Sequence, residues 1–148
     1  MTLKRQNIAG VSPWEDFVGY SRMVRMGDVL EVAGTTAMKD GKPYAVGDAY
    51  EQTCYILETI SRLFQEEGIP FENITRTRMF VTDISRWEEI GRAHGEFFRD
   101  IKPVATMVEV SSLIDKDLMV EIEVTAVLGD KQWTLDKHFP MKWTPSWQ

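Results

Sequence analysis

The chain has little of what metal and nucleophilic chemistry usually draws on. Its 148 residues include one cysteine, Cys54, and two histidines, His94 and His138. One thiol excludes an internal disulfide and fits a reducing compartment. Cys54 falls beside the apolar stripe of a helical segment, where a structural thiol is expected. Two histidines and one cysteine make no convincing metal set, and no cofactor is implied. No glycine-rich phosphate loop or G-x-S-x-G elbow occurs. No signal-peptide pattern or run of about 20 apolar residues occurs either, so no membrane partner is expected and a cytoplasmic location is. A basic excess is also missing. With 17 Lys and Arg against 23 Asp and Glu, the net charge is −6, which argues against nucleic acid as a partner. Arg22, Arg25, Arg76 and Arg78 still form a local basic cluster.

What is present reads as a single domain over residues 1–148, long enough for a true core, with 43% hydrophobic and 27% charged residues. The organising stretch is KPVATMVEVSSLIDKDLMVEIEVTAVL, Lys102 to Leu128. It holds two alternating runs, Val104 to Val110 and Met119 to Leu128, with turn residues between them. In the second run Val120, Ile122, Val124 and Ala126 share one face, and Glu121, Glu123 and Thr125 the other. In the first, Ala105, Met107 and Glu109 alternate with Val104, Thr106, Val108 and Val110.

Residues 1–19 show little periodicity and read as an irregular lead-in. A hairpin follows, Tyr20 to Met26 and Val29 to Ala33, turning at Gly27-Asp28 and ending in Gly34-Thr35-Thr36. A helix begins after Asp48 as N-cap with Glu51 in capping-box spacing, carries the stripe Thr53, Ile56, Leu57, Ile60, Leu63 and Phe64, and stops at Gly68 before Pro70. A third strand spans Ile74 to Thr82, with Arg76, Arg78 and Phe80 on one face and Thr75, Thr77, Met79 and Val81 on the other. A second helix is expected behind a Ser85 cap with Glu88, with Trp87, Ile90, His94, Phe97 and Phe98 inward. The resulting order β-β-α-β-α-β-β is an α+β sheet with two helices on one face.

The run P-x-x-[ST]-x-V-E-V followed by V-E-I-E-x-x-A resembles the RidA (YjgF-like) family of reactive imine/enamine deaminases. The resemblance covers roughly Tyr20 to Leu128 and implies a chorismate mutase-like homotrimer with ligand clefts at the subunit boundaries. Residues 129–148 then form a C-terminal extension, with Trp133, Phe139, Trp143 and Trp147. The family's pocket falls on Tyr20, Gly34, Gly91, Ala105, Met107 and Glu121, with Thr35 and Thr106 beside them as further candidate ligand contacts. Ala105 stands where the family carries the arginine that clamps a substrate carboxylate, so the usual Arg-dependent deaminase route is not expected. Glu121, the first Glu of V-E-I-E, keeps the capacity for general acid–base work on a water. Arg78 is the best substitute cation; as an ordinary strand residue it would pair with Glu109, Glu121 or Glu123. Glu123 is the fallback acid, and His94 is either a satisfied core histidine or a cleft residue.

Two helices cover one face of a sheet. The other face is expected to present Arg78, Phe80, Ala105, Met107, Glu121 and Glu123, which a symmetric oligomer would partly bury. Three readings remain open. One is a hydrolase of a small imine, enamine or related C–N substrate. The others are a non-catalytic small-molecule binding or sensing trimer, and a structural or partner-binding protein.

Overall fold

The computed structural model describes residues 3–129, so His138 and the tail aromatics lie outside the described residues. In chain order the elements are β1 (Arg5–Ile8), β2 (Met23–Met26), β3 (Val29–Thr36), β4 (Met38–Lys39), β5 (Lys42–Pro43), α1 (Ala49–Glu66), β6 (Ile74–Val81), α2 (Trp87–Phe98), β7 (Val104–Glu109) and β8 (Val120–Val127). Six strands form one sheet in the order β1-β2-β3-β8-β6-β7. All neighbours are antiparallel except β6 and β7, which α2 connects as a parallel pair. Strands β4 and β5 make a separate small hairpin.

Strand β8 lies between β3 and β6, and its alternation sets the layers. Val120, Ile122, Val124 and Ala126 are buried beneath the helices, whereas Glu121, Glu123 and Thr125 take the opposite face. Against the apolar face α1 packs Ile56, Leu57, Ile60 and Phe64, and α2 packs Ile90, Ala93, Phe97 and Phe98. Apart from Ala93, each of these side chains contributes about 1.5–3 kcal/mol by leaving water, which is why the helices hold to this face. Helix α1 starts where expected, with the Asp48 carboxylate accepting from the Glu51 N–H at 3.0 Å. It stops at Gly68, whose φ of 69° is costly for residues bearing a Cβ.

Several expectations give way. Arg5–Ile8 forms an edge strand paired to β2, although its sequence has a single apolar residue and shows no alternation. The first hairpin strand begins at Met23, because Glu15–Gly19 coils into a short π-helical turn ahead of it. Strand β3 does not stop at Gly34 but continues to Thr36 through a register shift between Val32 and Thr35. A second shift between Ile74 and Arg76 in β6 turns Thr75 outward and Ile74 inward. Ser85 does not cap α2: it lies in a short 3-10 turn, Ile84–Arg86, that Asp83 caps by accepting from the Ser85 amide and hydroxyl, and the N-cap position of α2 is Arg86. The helix itself starts at Trp87, which is 55% exposed rather than inward, and Ala93 joins Ile90, Phe97 and Phe98 on the buried face.

The most consequential correction concerns β7. Its register partners on β6 are Thr77 for Ala105, Arg78 for Thr106, Met79 for Met107 and Phe80 for Val108. Paired residues point to the same side of a sheet. Thr77 and Met79 are buried under the helices, so Ala105 and Met107 belong to the helix side, and Met107 packs against the core. The open face is completed instead by Val104, Thr106 and Val108.

Candidate functional site

Glu121 projects from the middle of the sheet onto the open face, next to the bulge in β3. Its carboxylate lies directly over Gly34. A Cβ at Gly34 would stand 2.9 Å from the Glu121 Cδ and 3.2 Å from its Cγ, so only glycine lets the acid lie there. Burial is the main cause that raises the Glu121 carboxyl above the usual carboxylate range. The neighbouring charge of Glu123 acts in the same direction, and Arg22 opposes both.

Arg22 was seen in the sequence only as one member of a basic cluster, yet it sits at the centre of this site. Its Nη2 donates to the carbonyls of Ala33 and Gly34 and to Thr35 Oγ1, all three within the bulge. Its Nε is buried without a partner. One signal was available. In an extended segment Tyr20, Arg22 and Val24 fall on one side, which aligns this arginine with the aromatic already marked as a pocket residue. Beside this cluster the open face carries a groove of about 660 Å³, lined in part by Asn7, Tyr20, Val24, Glu31, Ala33 and Glu123. The Tyr20 hydroxyl donates to Ser12 Oγ at 3.3 Å, and Glu15 accepts from the amides of Gly10 and Ser12, which shapes the groove wall.

Comparison with known proteins decides the relationship. The family model described as Endoribonuclease L-PSP matches residues 13–128. The chain belongs to this family, also called YjgF or RidA. An uncharacterized protein of Streptomyces coelicolor is 40% identical over 118 residues, 80% of this chain and 88% of the relative. A RutC family protein of Pyrococcus abyssi is 29% identical over 108 residues, covering 72% of this chain and 84% of its own length. Among solved structures, a YjgF family member from Mycobacterium tuberculosis is 42% identical with a TM-score of 0.75, covering 84% of this chain and all of that one. A protein of unknown function from Pseudomonas aeruginosa is 28% identical with a TM-score of 0.74, covering 91% and 100%. The α+β architecture is thus the YjgF one.

Within this YjgF fold, the residues singled out in the sequence divide between the two sides of the sheet. Tyr20, Gly34, Arg78, Thr106, Glu121 and Glu123 gather on the open side. Arg78 pairs with Glu123 at 3.3 Å across the β6–β8 register, with both side chains well exposed. Thr35 is buried, with its hydroxyl donating to Ala33 O and accepting from Arg22. Ala105 and Met107 are on the opposite side, on the edge strand. Gly91 lies on α2 with open space around its Cα. Within one chain the sheet separates Glu121 from Ala105, Met107 and Gly91.

His94 is also on the helix side. Its Nε2 lies 2.9 Å from Thr77 Oγ1, and its ring packs 4.6 Å from that of Phe98. Burial lowers its pKa to about 4. The unfolded chain would therefore take up this proton near pH 6.5 while the folded chain still refuses it. The stabilising contribution is present above pH 6.5 and is lost as pH falls toward 4, at about 1.4 kcal/mol per unit of difference. Unfolding free energies measured across this window should fall less steeply for His94→Gln than for wild type, and equal slopes would refute the assignment. Cys54 is buried, and burial pushes its thiol up to about 11, which leaves it inert at neutral pH.

Proposed function

We propose that the chain forms a closed trimer with small-molecule clefts at its subunit boundaries, and that Glu121 acts there as general acid–base in the hydrolysis of a small imine, enamine or related C–N bond. The observation that carries this reading is a partly buried carboxylate of raised proton affinity, held against a glycine, on the face whose open groove is lined by the adjoining Ala33 and Glu123. Glu121 takes a proton from water as its oxygen bonds to the imine carbon. The same proton goes to nitrogen, which gives a carbinolamine. Its hydroxyl proton then passes through Glu121 to the nitrogen as the C–N bond breaks, and a carbonyl and an amine leave.

Two features support placing the cleft between subunits. The candidate residues lie on opposite sides of one sheet, so a neighbour's edge strand is needed to bring both sets to one ligand. The open face also displays Val29, Val104, Val108 and Val127, which are 41%, 56%, 42% and 49% exposed, around a charged centre. That mixture suits burial in a symmetric interface. With Ala105 on the edge strand, the route does not use an arginine at that position. RNA cleavage, the activity named in the family's description, is disfavoured by the net charge of −6 and by the cluster Glu31, Glu121 and Glu123 on the same face, which repels phosphate.

Light scattering should give the mass of three chains, and a monomer would refute the intersubunit cleft. A screen of small imines and enamines for release of ammonia or amine tests the chemistry. Binding without turnover would make the protein a small-molecule binding or sensing trimer, and the catalytic role of Glu121 would fall.

A further inference from the structure

We infer that Arg22 is the positioning residue of this site: its guanidinium pins the β3 bulge on which the Glu121 carboxylate lies, and presents a cation to that carboxylate. The inference rests on the Glu121 reading and adds to it a residue that touches no substrate.

The geometry is specific. A two-residue irregularity between Val32 and Thr35 breaks the β3–β8 ladder, so the carbonyls of Ala33 and Gly34 lose their strand partners' regular spacing. Arg22 Nη2 supplies donors to both, at 2.9 Å for Gly34, and reaches Thr35 Oγ1 at 3.0 Å. The Ala33 N–H returns to Arg22 O at 3.0 Å, which closes the cycle between the two segments. Gly34 thus has two neighbours. Its carbonyl is held by Arg22, and its Cα side is covered by Glu121. A shift of the bulge by a fraction of an ångström would either push into the carboxylate or open a gap beneath it.

The charge argument is independent of the hydrogen bonds. Arg22 makes no ion pair within 4.0 Å among the described residues, and its Nε has no acceptor. A partly buried guanidinium in contact with neutral oxygens alone is costly to retain. Burial is the main cause that holds the Arg22 guanidinium below its ordinary value, and the nearby Tyr20, Glu15 and Glu121 oppose it. The groups facing Glu121 are Glu123 along β8 and Arg22 from the lead into β2. Its register partners, Phe80 on β6 and Thr36 on β3, do not titrate. Arg78 is engaged with Glu123. Removing Arg22 therefore leaves Glu121 under burial and a like charge alone.

Carbon-13 NMR titration of the Glu121 carboxyl, in the full-length protein without substrate, tests this directly. Arg22→Met should move that titration to higher pH. Arg22→Lys should leave it near wild type, while loosening the bulge and speeding amide hydrogen exchange at residues 33–36. Where turnover is measurable, the acid limb of the rate profile should move up with Arg22→Met, and Arg22→Lys should lower kcat by about tenfold through mispositioning with the limb unmoved. A purely structural arginine would change stability and leave the carboxyl titration in place, which overturns the proposal. Unchanged exchange at residues 33–36 in Arg22→Lys overturns it as well, even if Arg22→Met does not fold. If Glu121 titrates as expected in all three proteins but no substrate is turned over, the proposed reaction fails and the positioning role stands.

Discussion

Glu121→Gln is expected to lower turnover by about 10²–10⁴-fold while the assembly stays intact, because the change keeps shape and removes only the proton-accepting group. The environment is what makes this residue suited to the role. Burial and Glu123 raise its carboxyl, and Arg22 limits the rise, so the base form is available only as pH climbs through that raised value. The rate should accordingly fall on the acid side. Stability should move the opposite way. A carboxyl whose folded pKa lies above its unfolded one contributes stability below the unfolded pKa and loses it as pH rises through the folded pKa. Glu121→Gln should therefore fold at least as stably as wild type at neutral pH, a stability–activity trade. Gly34→Ala offers a second way to the same point. Its methyl would stand where the carboxylate lies, so kcat should drop although Glu121 is still present. Glu123→Gln should matter much less, since Glu123 sits in an exposed pair with Arg78. Full activity in Glu121→Gln would remove the catalytic reading, and dissociation of the proposed trimer would make the residue a structural contact.

The sequence carried the layers of the fold but not the side on which each pocket residue stands. Strand β8 alternates without interruption, so its buried and open faces could be read residue by residue. Strand β7 alternates just as cleanly, yet which of its two sets faces Glu121 depends on pairing Ala105 with Thr77, a long-range register that no local pattern encodes. The bulges in β3 and β6 each shift parity by one residue for the same reason. Strand β1 is not legible in the sequence because Arg5, Gln6 and Asn7 carry no periodic signal, and it pairs only with β2. Arg22 was visible as a charge in an extended segment, but its importance arises from carbonyls that the bulge leaves open. The Asp83 cap illustrates a smaller ambiguity: two capping-type residues lie two apart, and geometry selects the first.

Gln52 is a polar residue adjoining an apolar stripe, a position with no local signal of its role, yet it should be the costliest polar side chain to remove. It is fully buried in α1. Its Nε2 donates to Asp117 O at 2.9 Å, and its Oε1 accepts from Met119 N–H at 2.8 Å. The two bonds fasten the helix to the loop that enters β8, flanking the buried Leu118. In Gln52→Ala both backbone groups lose their partner and a cavity opens beside them. Each unsatisfied buried group costs about 1–3 kcal/mol, so the expected loss is about 2–6 kcal/mol in chemical denaturation. Gln52→Glu keeps an acceptor for Met119 but loses the donor to Asp117 and buries a charge, so it should be no better than alanine at neutral pH and should recover as acid protonates it. Because Met119 leads directly into β8, faster amide exchange should appear first at residues 119–121, at the strand end that holds Glu121. A loss below about 1 kcal/mol for Gln52→Ala, within the net worth of one ordinary hydrogen bond, would mean that water or a shifted side chain replaces both bonds and that Gln52 does not anchor this strand.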